Sequence, residues 1–161
     1  MHRVNQFVAH VRARVDTDEV AQAHRLLPAD AGRLFDAMPV ADRRHGLDVS
    51  ARLLAAGHDD PDLLAAALLH DVAKGRRMRL WHRIGGVLLE AFASGLLRRL
   101  ASEDPTSWRH PFHLYLHHAE LSAELVLASG GSERTAAFIR GTAGGADARL
   151  QRALTEADDA S

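Results

Sequence analysis

The stretch LLAAALLHDVAKG, residues 63–75, sets seven apolar residues in a row before His70, Asp71 and, one turn later, Lys74. It holds no proline, no glycine before Gly75, and one β-branched residue, Val72. The pattern predicts a helix over 63–74 that is apolar on most faces and therefore buried. An imidazole beside a carboxylate at the end of a buried helix carries a large desolvation cost unless something compensates the pair. A bound cation would do so. A purely structural pairing, with the carboxylate accepting the ring N–H, would do so too. The choice depends on what the rest of the chain offers.

Immediately upstream, Pro39 opens VADRRHGLDVSARLLAAG, residues 40–57, which reads as one helix. Val40, Leu47, Val49, Leu53 and Leu54 supply its apolar face, His45 lies within it, and Gly57 supplies the stop. The loop GHDDP follows and contains His58. Asp59 or Asp60 is predicted to cap the central helix, with Pro61 in its first turn. The first 39 residues read as scaffold: a helix over 5–15, a second capped by Thr17 or Asp18 and running to Leu26 or Leu27, and a third from Pro28. His2, His10 and His24 fall here among polar neighbours and are expected at the surface.

Downstream of Gly75 comes the basic stretch RRMRLWHR, residues 76–83, and then an apolar helical period over 84–100. A further helix is predicted over 108–129 with Pro111 near its start, and another begins after Ser132. Gly141, Gly144 and Gly145 break that one, and Asp147 opens the last, ARLQRALTEADDAS. The expectation is an all-α bundle of about eight or nine helices in one domain spanning residues 1–161. Within it, a helical extension over 1–39 packs on a core over 40–160.

Composition narrows the function. A net charge of −1 gives no argument for binding a nucleic-acid duplex. The absence of cysteine removes disulfides, thiolate ligands and a Cys nucleophile together. No apolar run approaches the roughly 18–20 residues that span a bilayer, and the first residues lack a signal-peptide apolar core. No membrane association and a cytoplasmic location are expected. Eleven histidines stand out, and the functional question is which of them matter.

His45, the adjacent pair His70–Asp71, Lys74 one turn on, and ADD near the C-terminus stand in an order that resembles the HD superfamily of metal-dependent phosphohydrolases. Two strings carry the resemblance, RHGLDVSARLLAAGHDDPDLLAAALLHDVAKG at 44–75 and the terminal ALTEADDAS. It implies an HD-like helical fold and a metal site of His45, His70, Asp71 and Asp158, in which the first Asp after Ala157 is the ligand rather than Asp159. Such a set of two imidazoles and two carboxylates suits one divalent ion without distinguishing Mn, Fe, Co, Ni, Zn or Mg. The cation would activate water as the nucleophile and polarise a phosphoryl oxygen. Asp71 would orient that water or take its proton. Lys74, with Arg76 and Arg77, would hold the substrate phosphate.

Other members of the superfamily bind two or more metals, and here the chain departs from them. HHAELSAEL at 117–125 resembles the segment whose histidine binds a second metal, which puts His118 at that position, or against the substrate, with Ser122 where glycine is usual. The pair of histidines that commonly follows an Ile-Arg is replaced by Gly141, Thr142 and Ala143 after Ile139–Arg140. One metal rather than two is expected. His110, His113 and His117 recur at helical spacing. His113 and His117, four residues apart, could chelate a metal, but without the Glu of an HExxH pattern a half-exposed polar stripe is the expectation.

The expected activity is hydrolysis of a nucleotide or another small phosphate ester. The alternative is a degenerate HD domain that binds a nucleotide or partner protein without turnover.

Overall fold

The computed structural model of the chain describes residues 15–75, 95 and 99–161. Among these residues there are seven α-helices, two short 3-10 turns and no strand. The helices are α1 Thr17–Leu26, α2 Ala29–Ala37, α3 Val40–Ala55, α4 Pro61–Leu69, α5 His110–Ala128, α6 Glu133–Arg140 and α7 Ala148–Asp159. One 3-10 turn, Val72–Lys74, follows α4, and the other, Gly145–Asp147, precedes α7. The helix expected over 5–15 and the one over 84–100 fall wholly or largely outside the described residues, and so do Arg76 and Arg77.

Local chemistry explains where the helices begin. Asp16 caps α1 by accepting the Asp18 N–H at 2.7 Å, while Glu19 accepts the Asp16 N–H at 3.3 Å. The cap therefore falls before Thr17, not at Thr17 or Asp18. Only Asp16 has a glutamate three positions on to complete the reciprocal pair. Pro28 and Pro39 precede α2 and α3 with φ near −53°. Asp60 caps α4, accepting from the N–H groups of Asp62 and Leu63 at 3.1 Å each, with Pro61 as the first helical residue.

Helix α4 is the axis of the core. All seven residues from Leu63 to Leu69 are buried, and the helix is packed against α1, α2, α3, α6 and α7. Residues from all seven helices join one apolar cluster, so those before and after residue 39 share it. At Gly46, α3 lies close against α4. A Cβ there would lie 2.9 Å from the Leu68 carbonyl oxygen and 3.2 Å from that of Ala67. The missing side chain lets α3 lie against the α4 backbone and carries its neighbour His45 to the end of α4.

The α4 helix is shorter than the apolar pattern predicts. It stops at Leu69, with His70 as the cap residue. The His70 ring donates through Nδ1–H to the Ala67 carbonyl at 3.0 Å, the acceptor that the Asp71 amide would use if the helix continued. The chain instead tightens into the 3-10 turn, with Lys74 N–H donating to the Asp71 carbonyl at 3.0 Å, and leaves it at Gly75 with φ 54°. A second fastening lies at the other end of α4. The Arg134 guanidinium of α6 reaches Asp60 at 2.8 Å, Asp62 at 3.1 Å and Asp147 at 2.8 Å. It ties the start of α4 to the turn that launches α7.

The Gly46 crossing generates a stability prediction. Gly46→Ala should push α3 off α4 and lower stability by about 1–3 kcal/mol. The exposed Arg52→Ala on the same helix should stay within about 0.5 kcal/mol of wild type. Urea midpoints at constant slope measure both, and equal midpoints for the two variants would contradict the close-crossing account.

Candidate metal centre

Three helices meet at the end of α4. Asp158, on the last turn of α7, places one carboxylate oxygen between two imidazoles. His45 Nε2–H donates to Asp158 Oδ1 at 2.8 Å, and His70 Nε2 lies 3.4 Å from the same oxygen. The two rings meet edge to face with centroids 5.2 Å apart. Among the described residues, His45, His70 and Asp158 form the group whose ligand atoms all lie within 4.8 Å of one another. The choice between neighbouring carboxylates follows from the helix face. Leu154 and Ala157 are buried, Asp158 turns inward beside them, and Asp159 is exposed.

Asp71 stands at the edge of this trio rather than within it. Its side chain is 3% exposed, and Oδ1 lies 3.6 Å from His70 Nε2. Lys74 Nζ comes within 2.6 Å of both carboxylate oxygens, with hydrogen-bond geometry only to Oδ2. The 3-10 turn explains the pairing, because three residues per turn bring side chains at i and i+3 nearly into line. The turn is held in place from α5, where the fully buried Ser122 accepts the Ala73 N–H on its hydroxyl at 3.1 Å.

The electrostatics are those of a compact charge cluster in apolar surroundings. Burial opposes the charge on His70, but the Asp71 and Asp158 carboxylates outweigh it and push the pKa up to about 8. Burial works against the Asp71 carboxylate as well, yet His70 and Lys74 hold its pKa well below the usual carboxylate range. Asp158 behaves alike, with His45 and His70 overcoming the cost of burial. His118 is different. Burial and the nearby Lys74 ammonium lower its pKa, and its Nδ1–H is committed to the Tyr115 carbonyl at 2.8 Å. The neutral ring therefore keeps its lone pair on Nε2.

These residues fit a divalent cation. His70 Nε2 and Asp71 Oδ1 are both buried without a hydrogen-bond partner. The Nδ1–H bond to Ala67 fixes the tautomer that aims the Nε2 lone pair into the cluster once the ring proton leaves. Two imidazoles and a carboxylate already gathered, with a second buried carboxylate on the flank, are a donor set that suits a divalent metal.

A cavity of about 170 Å³ opens beside the cluster, lined by His70, His118, Arg140, Gln151, Thr155 and Asp158 among others. Its walls include the apolar Phe138, Ile139 and Leu154. Gly141, in the left-handed conformation at φ 73°, ends α6 just before Thr142, and both residues are exposed. Sequence reasoning passed over Gly46 and Gln151, and it treated Ser122 only as a departure from a pattern. Of these, the glycine inside a helix beside His45 was the available signal. Comparisons with models of protein families, with curated proteins and with solved structures returned no match.

The raised His70 pKa sets a pH dependence. In metal-free protein its stabilising contribution is complete below the unfolded value of 6.5 and is lost as pH rises through about 8. The difference in unfolding free energy between wild type and His70→Asn, measured in excess chelator, should shrink by about 2 kcal/mol between pH 6 and 9. A bound cation needs the unprotonated ring, so the gain in melting temperature on adding Mn²⁺ should run the other way and grow over the same interval. A chelator-insensitive, metal-insensitive melting temperature at pH 8.5 would leave only the structural role of the cluster.

Proposed function

We propose that this chain is a mononuclear metal-dependent phosphohydrolase of the HD type, acting on a nucleotide or another small phosphate ester. The observation that carries this reading is the junction of His45, His70 and Asp158 from three separate helices, with the buried Asp71 carboxylate, paired with Lys74, on its flank. In this reading His45, His70 and Asp158 hold one divalent cation, and Asp71 offers it an oxygen from the flank. When bound there, such a cation supplies a water of lowered pKa and polarises a phosphoryl oxygen.

The chain's own residues do the rest. Lys74 keeps N–H donors beyond those it spends on Asp71, and an ammonium so placed neutralises a substrate phosphate. Asp71 is held ionised by His70 and Lys74, which makes it a weak base, so its role is to orient. His118 is the better proton acceptor at this end of the cavity, because its ring is neutral and its Nδ1–H is already committed. The rest of the substrate would lie against Phe138, Ile139 and Leu154, with Gln151 and Thr155 as polar contacts. A volume of about 170 Å³ suits a compact group.

The second reading, a binding module without turnover, is favoured by Gly141, Thr142 and Ala143, which bring no imidazole to the site. Lys74 separates the two. Lys74→Ala should lower kcat/KM for a hydrolysed phosphate ester by roughly 10²–10³. It also strands the buried Asp71 and should destabilise the fold by up to about 3 kcal/mol. The double variant Lys74→Met with Asp71→Asn should recover much of the stability and none of the activity. Wild type that binds nucleotides but turns over no phosphate ester in the presence of any divalent metal would establish the binding module instead.

A further inference from the structure

Outside the cleft, α5 carries His110, His113 and His117, and their rings run along the helix in mutual contact. The His110 and His113 rings stack with centroids 5.8 Å apart, and those of His113 and His117 lie 4.5 Å apart at a 37° tilt. His113 is half-buried and His117 exposed, as the sequence pattern predicts for a polar stripe. Apolar packing does not account for three adjoining imidazoles, and charging them together would be repulsive. Burial and the neighbouring His117 and His110 rings lower the pKa of His113, against the opposing pull of Glu103. The shift favours the neutral His113 ring, which presents a lone pair.

We propose that His113 and His117 form a second metal site, separate from the cleft: a two-imidazole chelate for Cu²⁺, Ni²⁺ or Zn²⁺, with water in the remaining positions. Residues four apart on a helix are neighbours on its surface, and imidazole is a preferred ligand of these borderline ions. His110 flanks the pair. Its Nδ1–H donates to the Ser102 carbonyl at 3.1 Å, leaving the lone pair on Nε2. The nitrogens of all three rings do not come within 4.8 Å of one another, so His110 is not counted among the ligands. The site is distinct from the cleft because His118, one residue on, is turned about 100° around the helix, where it lines the cavity that His113 and His117 do not.

The test is calorimetric titration of the full chain with Cu²⁺ and Ni²⁺ at pH 7.5, comparing wild type, His70→Ala, and His113→Gln with His117→Gln. The expected result is a binding step that persists in His70→Ala and is lost in the double variant, with unchanged helicity. Each single substitution should weaken it by roughly tenfold or more, and Cu²⁺ should bind more tightly than Ni²⁺. The frozen Cu²⁺ complex should show electron-spin coupling to imidazole nitrogens that disappears with the pair. Retention of the step and of that coupling in the double variant would overturn the proposal, as would loss of all binding in His70→Ala. Because the step is read in a protein whose cleft is disabled, its presence or absence is independent of whether the cleft holds metal.

Discussion

Because every residue from Leu63 to Leu69 is buried, the charges at the end of α4 are desolvated and have to be met by other side chains. His70 and Asp71 occupy that end, and the rest of the structure can be read as the set of partners brought to them. His45 arrives because Gly46 lets α3 lie against the α4 carbonyls. Asp158 arrives on the last helix. Lys74 arrives through the 3-10 turn that follows α4. The polar centre and the apolar core are thus one arrangement seen from two ends of the same helix.

The partnership leaves a definite imbalance. Two carboxylates and one ammonium surround His70, and the imidazole gains a proton in the metal-free protein as a result. His70 Nε2 and Asp71 Oδ1 are held by ion-pair contacts, to Asp158 at 3.4 Å and to Lys74 at 2.6 Å. The gathering of imidazole and carboxylate donors from three helices is the physical reason to read the cluster as a binding site. His118 adds a buried imidazole with lowered pKa whose Nδ1–H is committed to the Tyr115 carbonyl.

Much of this was legible in the sequence. The unbroken apolar run marked α4 as the buried axis, and Asp60 with Pro61 marked its start. Gly57 and Gly141 take positive φ at the ends of α3 and α6. His45, His70 and Asp158 were singled out by a resemblance resting on residue type and order, which also took Asp158 over Asp159; that Asp158 lies beside the buried Leu154 and Ala157 is seen only in the structure. The end of α4 was not legible, because the apolar pattern runs on through Val72 and Ala73, whereas the chain tightens into a 3-10 turn after Leu69. The pairing of Asp71 with Lys74 depends on that break and was hidden with it. Ser122 was hidden too, because its partner, the Ala73 amide, lies 49 residues away in the chain.

The central claim is that His45, His70 and Asp158 are gathered to hold a cation and not merely to neutralise one another. Anomalous diffraction from crystals grown with Mn²⁺ tests it most directly. The account predicts a peak within about 2.0–2.3 Å of His45 Nε2, His70 Nε2 and an Asp158 oxygen, with the His45–Asp158 hydrogen bond replaced by coordination. A crystal that holds Mn²⁺ elsewhere, or nowhere, while His45 still donates to Asp158 at 2.8 Å, would contradict it.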